Sequence, residues 1–358
     1  MCLCKKGYKP LKIISMKKVG IIGTGNWGTT LGFLVSKNVI SNLKYFKKEI
    51  LIYGIVEEFE GKSMDKLINE DHENKKYLPG IKLPDNLCYT SDIQLFSDID
   101  IIIVALPHQF IDSLIKFKEY LKKDIIVLSV VKGVIEYKVS FTLVSDYINE
   151  IWGCSTNVLM GANIASDVAK GLLGNILYKC EGTLGYHQEY DKDVLFRLLN
   201  CKYYKISCTK DVVGVELCGS LKNIIALGYG VTVGLGCSKN TSISFLRCGL
   251  GEIKKFLNFF FPATSSETLF QSCGIADLIV SCSMGRNYKF GKAKAEEDIS
   301  LEDFEKKIGN QKIQGVGTAN CIYNYLITKE RKDDFPIIKM IWSIFCDNEE
   351  CDKILDSF

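Results

Sequence analysis

A glycine-rich segment near the start of the chain carries the first recognisable chemistry. An apolar run at residues 19–22 leads into a G-x-G-x-x-G turn, which consists of Gly23, Thr24, Gly25, Asn26, Trp27 and Gly28. In such a turn the first glycine permits a tight bend, the second lets the backbone approach a pyrophosphate, and the third allows close helix–strand packing. The following helix offers free N–H groups to phosphates. The spacing predicts a dinucleotide site, with an ordinary glycine-rich turn as the alternative.

An acidic residue farther along indicates which dinucleotide is bound. In this type of site a carboxylate after the second strand binds the ribose 2′-hydroxyl. Glu57 follows the apolar run at residues 50–56, although it lies 29 residues after Gly28, which implies an insertion before that strand. A carboxylate there repels a 2′-phosphate, so the sequence favours NAD over NADP. A solvated acidic turn is the alternative reading of Glu57.

The overall composition argues against several other classes of protein. The 358 residues carry a formal net charge of +3, without the basic excess of an obligate nucleic-acid binder, so no nucleic-acid partner is expected. Hydrophobic residues make up 47% of the chain and charged residues 24%, as in globular proteins. Uninterrupted apolar runs are shorter than the ~20 residues of a membrane span. We therefore expect no membrane partner.

Cysteine and histidine usage gives no sign of a metal site. The 15 cysteines are odd in number, scattered and without a C-x-x-C pair, which favours reduced thiols over a disulfide framework. The three histidines, His72, His108 and His187, lie far apart in the sequence. No metal is expected.

Alternating strand-like and helix-like segments indicate how the glycine turn is positioned. Continuous apolar runs at 19–22, 50–56, 99–106 and 125–130 are typical of parallel strands covered on both faces. Shorter strands are predicted at 158–160, 175–178 and 203–206, and helices at 110–121 and 141–151. After residue 208 only helices are predicted, at 212–227, 242–261, 274–282, 301–308 and 318–328. The fold class is therefore α/β, an N-terminal Rossmann-like doubly wound sheet with an all-helical C-terminal domain.

This pattern divides the chain into three parts. Residues 1–16 form an arm, 17–209 the NAD-binding Rossmann-like domain and 210–358 the helical substrate-binding domain. The first 18 residues hold six lysines and no acid, but lack the arginines and apolar core of targeting leaders. We expect a solvated arm, a cytoplasmic protein, and a ligand site between the two domains.

Nine segments together resemble the cytosolic NAD-dependent glycerol-3-phosphate dehydrogenases. They follow the order of that family over about residues 17–340, which is far more specific than a glycine motif alone. The segments are GTGNWG at 23–28, NKKYLPG at 74–80, LPHQF at 106–110, SVVKGV at 129–134, LMGANIASDVA at 159–169, VELCGSLKNII at 215–225, SCGIADL at 272–278, GRN at 285–287 and NQKIQG at 310–315.

The resemblance implies hydride transfer between NAD(H) and C2 of sn-glycerol 3-phosphate or dihydroxyacetone phosphate, in a homodimer. It implies that Lys222 is the catalytic base and that Asp277 holds it. Lys132, in the loop after a central strand, could be a neighbouring cation and could also polarise the carbonyl. Ser281, four residues after Asp277 and on the same helical face, could add a hydrogen bond. A lysine serves as a base only where burial or a nearby cation lowers its pKa. A helix cap or a structural ion pair is the alternative role of Asp277.

The substrate implied by this family is a phosphate ester. Arg286 and Asn287 offer a guanidinium fork and an amide suited to a phosphate dianion, and Asn223 could join them; a surface charge is the alternative for Arg286. The resemblance also implies cofactor contacts from Phe110, Lys132, Ala165, Arg286, Lys312 and Gln314. Lys312 and Gln314 match a mobile flap of the family, whereas packing alone would explain Phe110 nearly as well.

Two other functions remain open at this point. One is another hydroxyacid dehydrogenase of the same two-domain group, in which an asparagine follows the catalytic lysine by several residues. Here Asn223 is directly adjacent to Lys222, which disfavours that reading. The other is a non-catalytic NAD-sensing protein, since a fold alone does not establish chemistry. The joint presence of Lys222, Asp277 and Arg286 favours an enzyme.

Overall fold

The computed structural model of the protein describes residues 15–137 and 140–358. Residues 1–14 of the predicted arm therefore lie outside the described residues. The strands are β1 (Lys17–Ile22), β2 (Phe46–Tyr53), β3 (Glu58–Phe59), β4 (Lys62–Ser63), β5 (Leu87–Thr90), β6 (Ile101–Val104), β7 (Ile126–Ser129), β8 (Val134–Tyr137), β9 (Ser140–Leu143), β10 (Thr156–Met160), β11 (Cys180–Gly185) and β12 (Tyr204–Thr209).

Eight of these strands form one sheet that organises the first part of the chain. Their order is β12–β11–β10–β7–β6–β1–β2–β5, and every neighbouring pair is parallel except β10 with β11. All residues of β6, β7 and β10 are buried, because helices cover both faces of the sheet. The carboxyl ends of β1, β6 and β7 meet at one edge, where ligands bind in such sheets.

Helices cover the sheet and build the rest of the structure. The α-helices are α1 (Asn26–Ile40), α2 (Met64–Asn69), α3 (Val144–Trp152), α4 (Ala165–Leu172), α5 (Glu189–Leu199), α6 (Val212–Gly234), α7 (Lys239–Phe260), α8 (Asp277–Met284), α9 (Arg286–Glu297), α10 (Leu301–Lys307), α11 (Gln314–Thr328) and α12 (Pro336–Cys346). A π-helical turn covers Ser272–Ala276, and 3₁₀ helices cover Ile93–Phe96, His108–Tyr120, Ser266–Phe270, Lys332–Asp334 and Cys351–Ser357. This architecture confirms the predicted fold class.

Helix α6 is the centre of the helical part. By length and composition it could cross a membrane, but 89% of its most apolar stretch is buried inside the protein. Glycines bring α9 against it backbone to backbone: a Cβ on Gly291 would lie 2.0 Å from the Leu227 carbonyl oxygen, and one on Gly230 would lie 2.2 Å from that of Tyr288. This close approach places the polar residues of α6 and α9 side by side.

Several predicted elements were wrong in detail. Residues 175–178 are not a strand: they lie in the turn after α4, where Gly174 has a φ of 98° and the Asn175 side chain accepts from the Leu177 amide at 3.1 Å. Residues 141–143 belong to β9 and not to the predicted helix, because they pair with β8 in an antiparallel ladder; Phe141 also packs edge-on against Tyr325 at 4.9 Å. The predicted helix at 110–121 is a 3₁₀ helix, and α9 and α12 were not predicted.

Candidate functional site

The glycine turn joins β1 to α1 with the predicted geometry. Gly23 has a φ of 117°, and a Cβ there would lie 2.5 Å from the Ala105 carbonyl oxygen at the end of β6. A Cβ on Gly28 would lie 2.0 Å from the Gly23 carbonyl oxygen. Both positions therefore require glycine, one for the turn and one for the packing of α1 on β1.

Gly25 differs from the other two glycines because it lies beside open space. It precedes the first residue of α1, no side chain among the described residues caps this end, and no atom there lies within 4 Å of its hypothetical Cβ. Uncapped N–H groups beside open space at a helix N-terminus fit a pyrophosphate. Asn26 is exposed and Trp27 half-buried at the same turn. The residues present therefore fit the dinucleotide that the sequence predicts.

Asn74 supports this turn from outside it, a role that the sequence did not predict. Its buried side-chain amide donates to the carbonyl oxygen of Thr24 at 2.9 Å and to Oγ1 of Thr29 at 2.8 Å. The Thr29 hydroxyl donates to the same carbonyl at 2.9 Å. These bonds fix the backbone between the first two glycines. The only sequence signal was that Asn74 opens the NKKYLPG segment.

Glu57 follows β2 as expected, but its carboxylate already has a partner. Lys76 donates to Oε2 of Glu57 at 2.5 Å, and the Tyr77 hydroxyl donates to the same oxygen at 3.3 Å. Ile55 and Val56, just before Glu57, leave 65% and 82% of their surface exposed. The end of β2 that would receive an adenosine therefore has exposed apolar side chains next to a carboxylate that is paired with a lysine. Lys76 is a second residue that sequence reasoning missed.

The predicted catalytic residues come together in one buried cluster. Nζ of Lys222, on α6, lies 2.7 Å from Oδ1 of Asp277 and 2.5 Å from Oγ of Ser281, both on α8. Nζ of Lys132, in the loop after β7, lies 2.7 Å from the other carboxylate oxygen of Asp277. Lys222 is 4% exposed and Asp277 2% exposed. Two lysines therefore share one carboxylate within the protein.

This arrangement changes the acidity of Lys222. Burial disfavours its charged form and is the main reason that its pKa falls to about 8. Asp277 opposes the shift by favouring the ammonium, and Lys132 adds to it by repulsion. A lysine with a pKa near neutrality can both accept and donate a proton at physiological pH.

Lys132 also links the cluster to the glycine turn. Its Nζ donates to the Gly161 carbonyl oxygen at 3.2 Å and to Oδ1 of Asn163 at 3.3 Å. The Asn163 amide donates to the Tyr204 hydroxyl at 2.9 Å, and the Tyr204 ring packs edge-on against Trp27 at 6.2 Å. A continuous set of contacts thus connects the cofactor turn to the lysine pair.

A second polar cluster adjoins the first on the other side of Lys222. The Asn287 amide donates to Oδ1 of Asn223 at 2.9 Å, and Oδ1 of Asn287 accepts from the Gly315 amide at 2.9 Å. Nδ2 of Asn223 is buried and has no hydrogen-bond partner among the described residues. Such a donor is costly unless a ligand satisfies it. The cluster therefore fits an oxygen-rich ligand.

The remaining predicted residues surround this cluster without touching the lysine pair. Arg286 is exposed, and its Nη1 lies 3.4 Å from Oε1 of Gln311. Lys312 donates to Oε2 of Glu305 at 2.5 Å. Gln314 begins α11 and is half-buried.

Two predicted cofactor residues lie in the part of the chain that contains the sheet. Phe110, in the 3₁₀ helix after β6, is 53% exposed, so core packing does not account for it. Ala165 begins α4, and its carbonyl oxygen lies 3.4 Å from the hydroxyl of Thr30 on α1. Ala165 is therefore near the helix that follows the glycine turn.

Comparisons with known proteins agree with this geometry. Residues 18–183 match the sequence model described as NAD-dependent glycerol-3-phosphate dehydrogenase N-terminus, and residues 211–356 match that of the C-terminus. The cytoplasmic glycerol-3-phosphate dehydrogenase [NAD(+)] of Bos taurus is 38% identical over 93% of this chain and 95% of its own length. The human protein of the same name is 38% identical over 92% of this chain and 94% of its own length.

Solved structures give the same result. Glycerol-3-phosphate dehydrogenase from Saccharomyces cerevisiae superimposes with a TM-score of 0.86 at 34% identity, covering 96% of this chain and 99% of the yeast chain. The Plasmodium falciparum enzyme gives a TM-score of 0.88 at 31% identity and covers 96% of each chain. The chain therefore belongs to the NAD-dependent glycerol-3-phosphate dehydrogenase family, and its reaction is hydride transfer between NAD(H) and C2 of glycerol 3-phosphate or dihydroxyacetone phosphate.

Proposed function

We propose that Lys222 is the general acid and base of this reaction. The observation that carries the proposal is a lysine that is almost fully buried, with a pKa of about 8, held by Asp277 and Ser281. Neutral Lys222 accepts the proton of the C2 hydroxyl during oxidation, and its ammonium returns a proton to the C2 oxygen during reduction. When bound, NAD supplies the hydride acceptor.

Lys132 and Asp277 set the charge of this centre. Asp277 orients both amines, and when Lys222 is protonated the two lysines with one carboxylate leave one net positive charge in a buried site. That charge stabilises negative charge that develops on the C2 oxygen in the transition state. Lys132 also keeps the pKa of Lys222 low by repulsion. The proposed catalytic group therefore consists of Lys222, Asp277 and Lys132.

We assign the substrate phosphate to the cluster next to Lys222. The unpartnered Nδ2 of Asn223 and the guanidinium of Arg286 provide donors for a phosphate dianion, and Asn287 holds Asn223 in place. Because the phosphate does not react, its binding energy can orient C2 toward the hydride acceptor.

The cofactor site is assigned to the sheet edge and the residues that face it. The uncapped start of α1 beside Gly25 would hold the pyrophosphate, and Glu57 the adenosine ribose. The full set is Gly23, Thr24, Gly25, Asn26, Trp27, Gly28, Glu57, Phe110, Lys132, Ala165, Arg286, Lys312 and Gln314. We retain the division into a cofactor-binding part, 17–209, and a substrate-binding part, 210–358.

The assembly and the cellular location are also proposals. The curated relatives are named cytoplasmic enzymes, which supports a cytoplasmic location for this protein. We propose a homodimer without nucleic-acid or membrane partners. Light scattering of the purified protein tests the dimer through its molar mass.

The experiment that tests the proposed catalytic assignments follows NADH oxidation with dihydroxyacetone phosphate. Wild-type protein should turn over, Lys222→Met should bind NADH but not turn over, and Lys339→Met should behave as wild type. Lys339 is a suitable control because it pairs with Asp333 at the protein surface. Normal turnover by Lys222→Met would rule out the assigned role.

A further inference from the structure

Glu216 is a buried carboxyl group that the proposed mechanism does not use. It lies on α6, six residues before Lys222, and has no exposed surface. Its Oε1 accepts from the Ser145 amide at 3.1 Å, and its Oε2 accepts from the Ser145 hydroxyl at 2.5 Å. Ser145 is in the first turn of α3, where N–H groups lack helical partners. A residue of the helical part thus caps a helix of the sheet part.

Strands β8 and β9 connect the capped helix α3 to the active-site residue Lys132. Helix α3 follows directly on β9, and β9 pairs with β8 in an antiparallel hairpin in which Val134 faces Leu143. Lys132 and Gly133 immediately precede β8. Because Val134 and Leu143 are paired, the two ends of the hairpin, Gly133 and Ser145, are held close to one another.

Helix α6 contacts the other end of the hairpin as well. The Gly133 amide donates to Oγ of Ser220 at 2.9 Å, and this Oγ lies 2.9 Å from both the Gly133 and Glu216 carbonyl oxygens. Ser220 is one helical turn after Glu216. One face of α6 therefore holds both ends of the hairpin, while the same helix carries Lys222.

We infer that Glu216 is a positioning residue for Lys132, acting through the paired strands β8 and β9 to hold that lysine against Asp277. The inference rests on the roles proposed above for Lys132 and Lys222. If the cap is lost, α3 and the hairpin base are free to shift relative to α6. Lys132 then no longer sits at a fixed distance from the Asp277 carboxylate and from Lys222.

The chain offers a matched control for this inference. Glu252 on α7 is also buried and also caps a helix, accepting from the amides of Ile337 and Ile338 at 2.8 and 3.1 Å. Burial raises the pKa of Glu216 and of Glu252 to about 7 in each case. The two residues thus share chemistry and environment, but Glu252 caps α12, whereas Glu216 caps α3, the helix that follows β9.

The test compares Glu216→Leu with Glu252→Leu, since leucine keeps most of the volume and removes both hydrogen bonds. We expect Glu216→Leu to lower kcat roughly 10- to 100-fold, because small displacements of catalytic groups are costly. For glycerol 3-phosphate oxidation, the midpoint of the profile of kcat/KM against pH should move to higher pH, because Lys132 no longer lowers the pKa of Lys222. Glu252→Leu should lose thermal stability without a change in that midpoint.

Conservative variants separate positioning from general stability. Glu216→Gln keeps an acceptor for the Ser145 amide and should recover most of kcat and the wild-type midpoint. Should Glu216→Leu fail to fold, Ser145→Ala removes only the hydroxyl that donates to Glu216 and should move the midpoint in the same direction. An unchanged pH profile in both Glu216→Leu and Ser145→Ala, or in whichever of them folds, would overturn the inference.

A double variant distinguishes failure of this inference from failure of the proposed function. If Glu216 acts through Lys132, Glu216→Leu combined with Lys132→Met should be no slower than Lys132→Met alone. If the two substitutions instead lower kcat by factors that multiply, Glu216 does not act through Lys132, and the inference is overturned while the role of Lys132 stands. Wild-type kcat and pH profile in Lys132→Met would contradict the role of Lys132 itself, and the inference with it.

Discussion

Lys132 and Lys222 bind opposite oxygens of the same carboxyl group, each at 2.7 Å, although one follows a sheet strand and the other lies in the core helix α6. The shared acceptor, Asp277, brings the two amines close to one another. Because two cations face a single anion, the pKa of Lys222 depends on both neighbours and in opposite directions. Removal of Lys132 and neutralisation of Asp277 should therefore shift the pKa of Lys222 in opposite directions.

Removal of Lys132 should raise the pKa of Lys222. Its repulsion is lost, and Asp277 is left with Lys222 alone, so both effects favour the ammonium. For wild type we expect glycerol 3-phosphate oxidation to rise with pH around the Lys222 pKa of about 8, and in Lys132→Met this rise should move to higher pH. The measurement is kcat/KM against pH, which reports ionisations of the free enzyme, with Lys339→Met as the control. A midpoint that stays in place would show that Lys132 does not influence the base.

Neutralisation of Asp277 should have the reverse effect. Asp277→Asn removes the charge that favours the Lys222 ammonium, so the pKa of Lys222 should fall below about 8. Reduction of dihydroxyacetone phosphate requires the protonated lysine and should weaken most at neutral and alkaline pH. Oxidation should become active at lower pH, although the loss of orientation lowers kcat in both directions. A profile that moves to higher pH would contradict the assignment of Asp277.

Arg286 should discriminate between phosphorylated and unphosphorylated substrates. A charge-assisted contact of this kind contributes roughly 3 kcal/mol, so Arg286→Ala should lower kcat/KM for dihydroxyacetone phosphate by about 10²-fold. Dihydroxyacetone itself should be a poor substrate of both proteins and lose far less. Arg331→Ala is the matched control, since Arg331 pairs with Asp334 at the surface. Equal penalties for the two substrates would mean that Arg286 supports the fold or the cofactor.

The pair formed by Glu57 and Lys76 should set the preference between NAD and NADP. Lys76→Met leaves the Glu57 carboxylate without its cation, so repulsion of a 2′-phosphate and selectivity for NAD should both increase. Glu57→Gln leaves a lysine beside the ribose and should improve the use of NADP. The ratio of kcat/KM for the two cofactors measures both effects. Lys62→Met, which breaks a surface pair with Asp71, should leave the ratio unchanged.

The fold could be predicted from the sequence because its main signals are local. Continuous apolar strands and a glycine turn indicate a parallel sheet with a nucleotide edge, and the structure contains both. Residues 175–178 misled the prediction because an apolar run of strand length also occurs in this exposed turn. Helix α9 was missed because it is largely polar, and its packing on α6 depends on Gly291, whose role only the tertiary structure reveals.

The candidate site, like the fold, could be predicted from the sequence only in part. The identities of Lys222, Asp277 and Arg286 could be found from their segments, but their distances depend on contacts between residues far apart in the chain. Neither the pairing of Glu57 with Lys76 nor the cap that Glu216 provides for Ser145 has a sequence pattern, since 71 residues separate the second pair. Such contacts are set by how the sheet and the helices pack.

The most direct test of the account is the turnover of Lys222→Met with NADH and dihydroxyacetone phosphate. If Lys222 is the acid and base, kcat should fall by roughly 10²–10⁴-fold, because proton transfer at the C2 oxygen has lost its positioned partner. NADH binding, measured by quenching of protein fluorescence, should remain at the wild-type level, since the cofactor turn lies on the other side of Lys132. Turnover within a few-fold of wild type, with folding and NADH binding intact, would contradict the account.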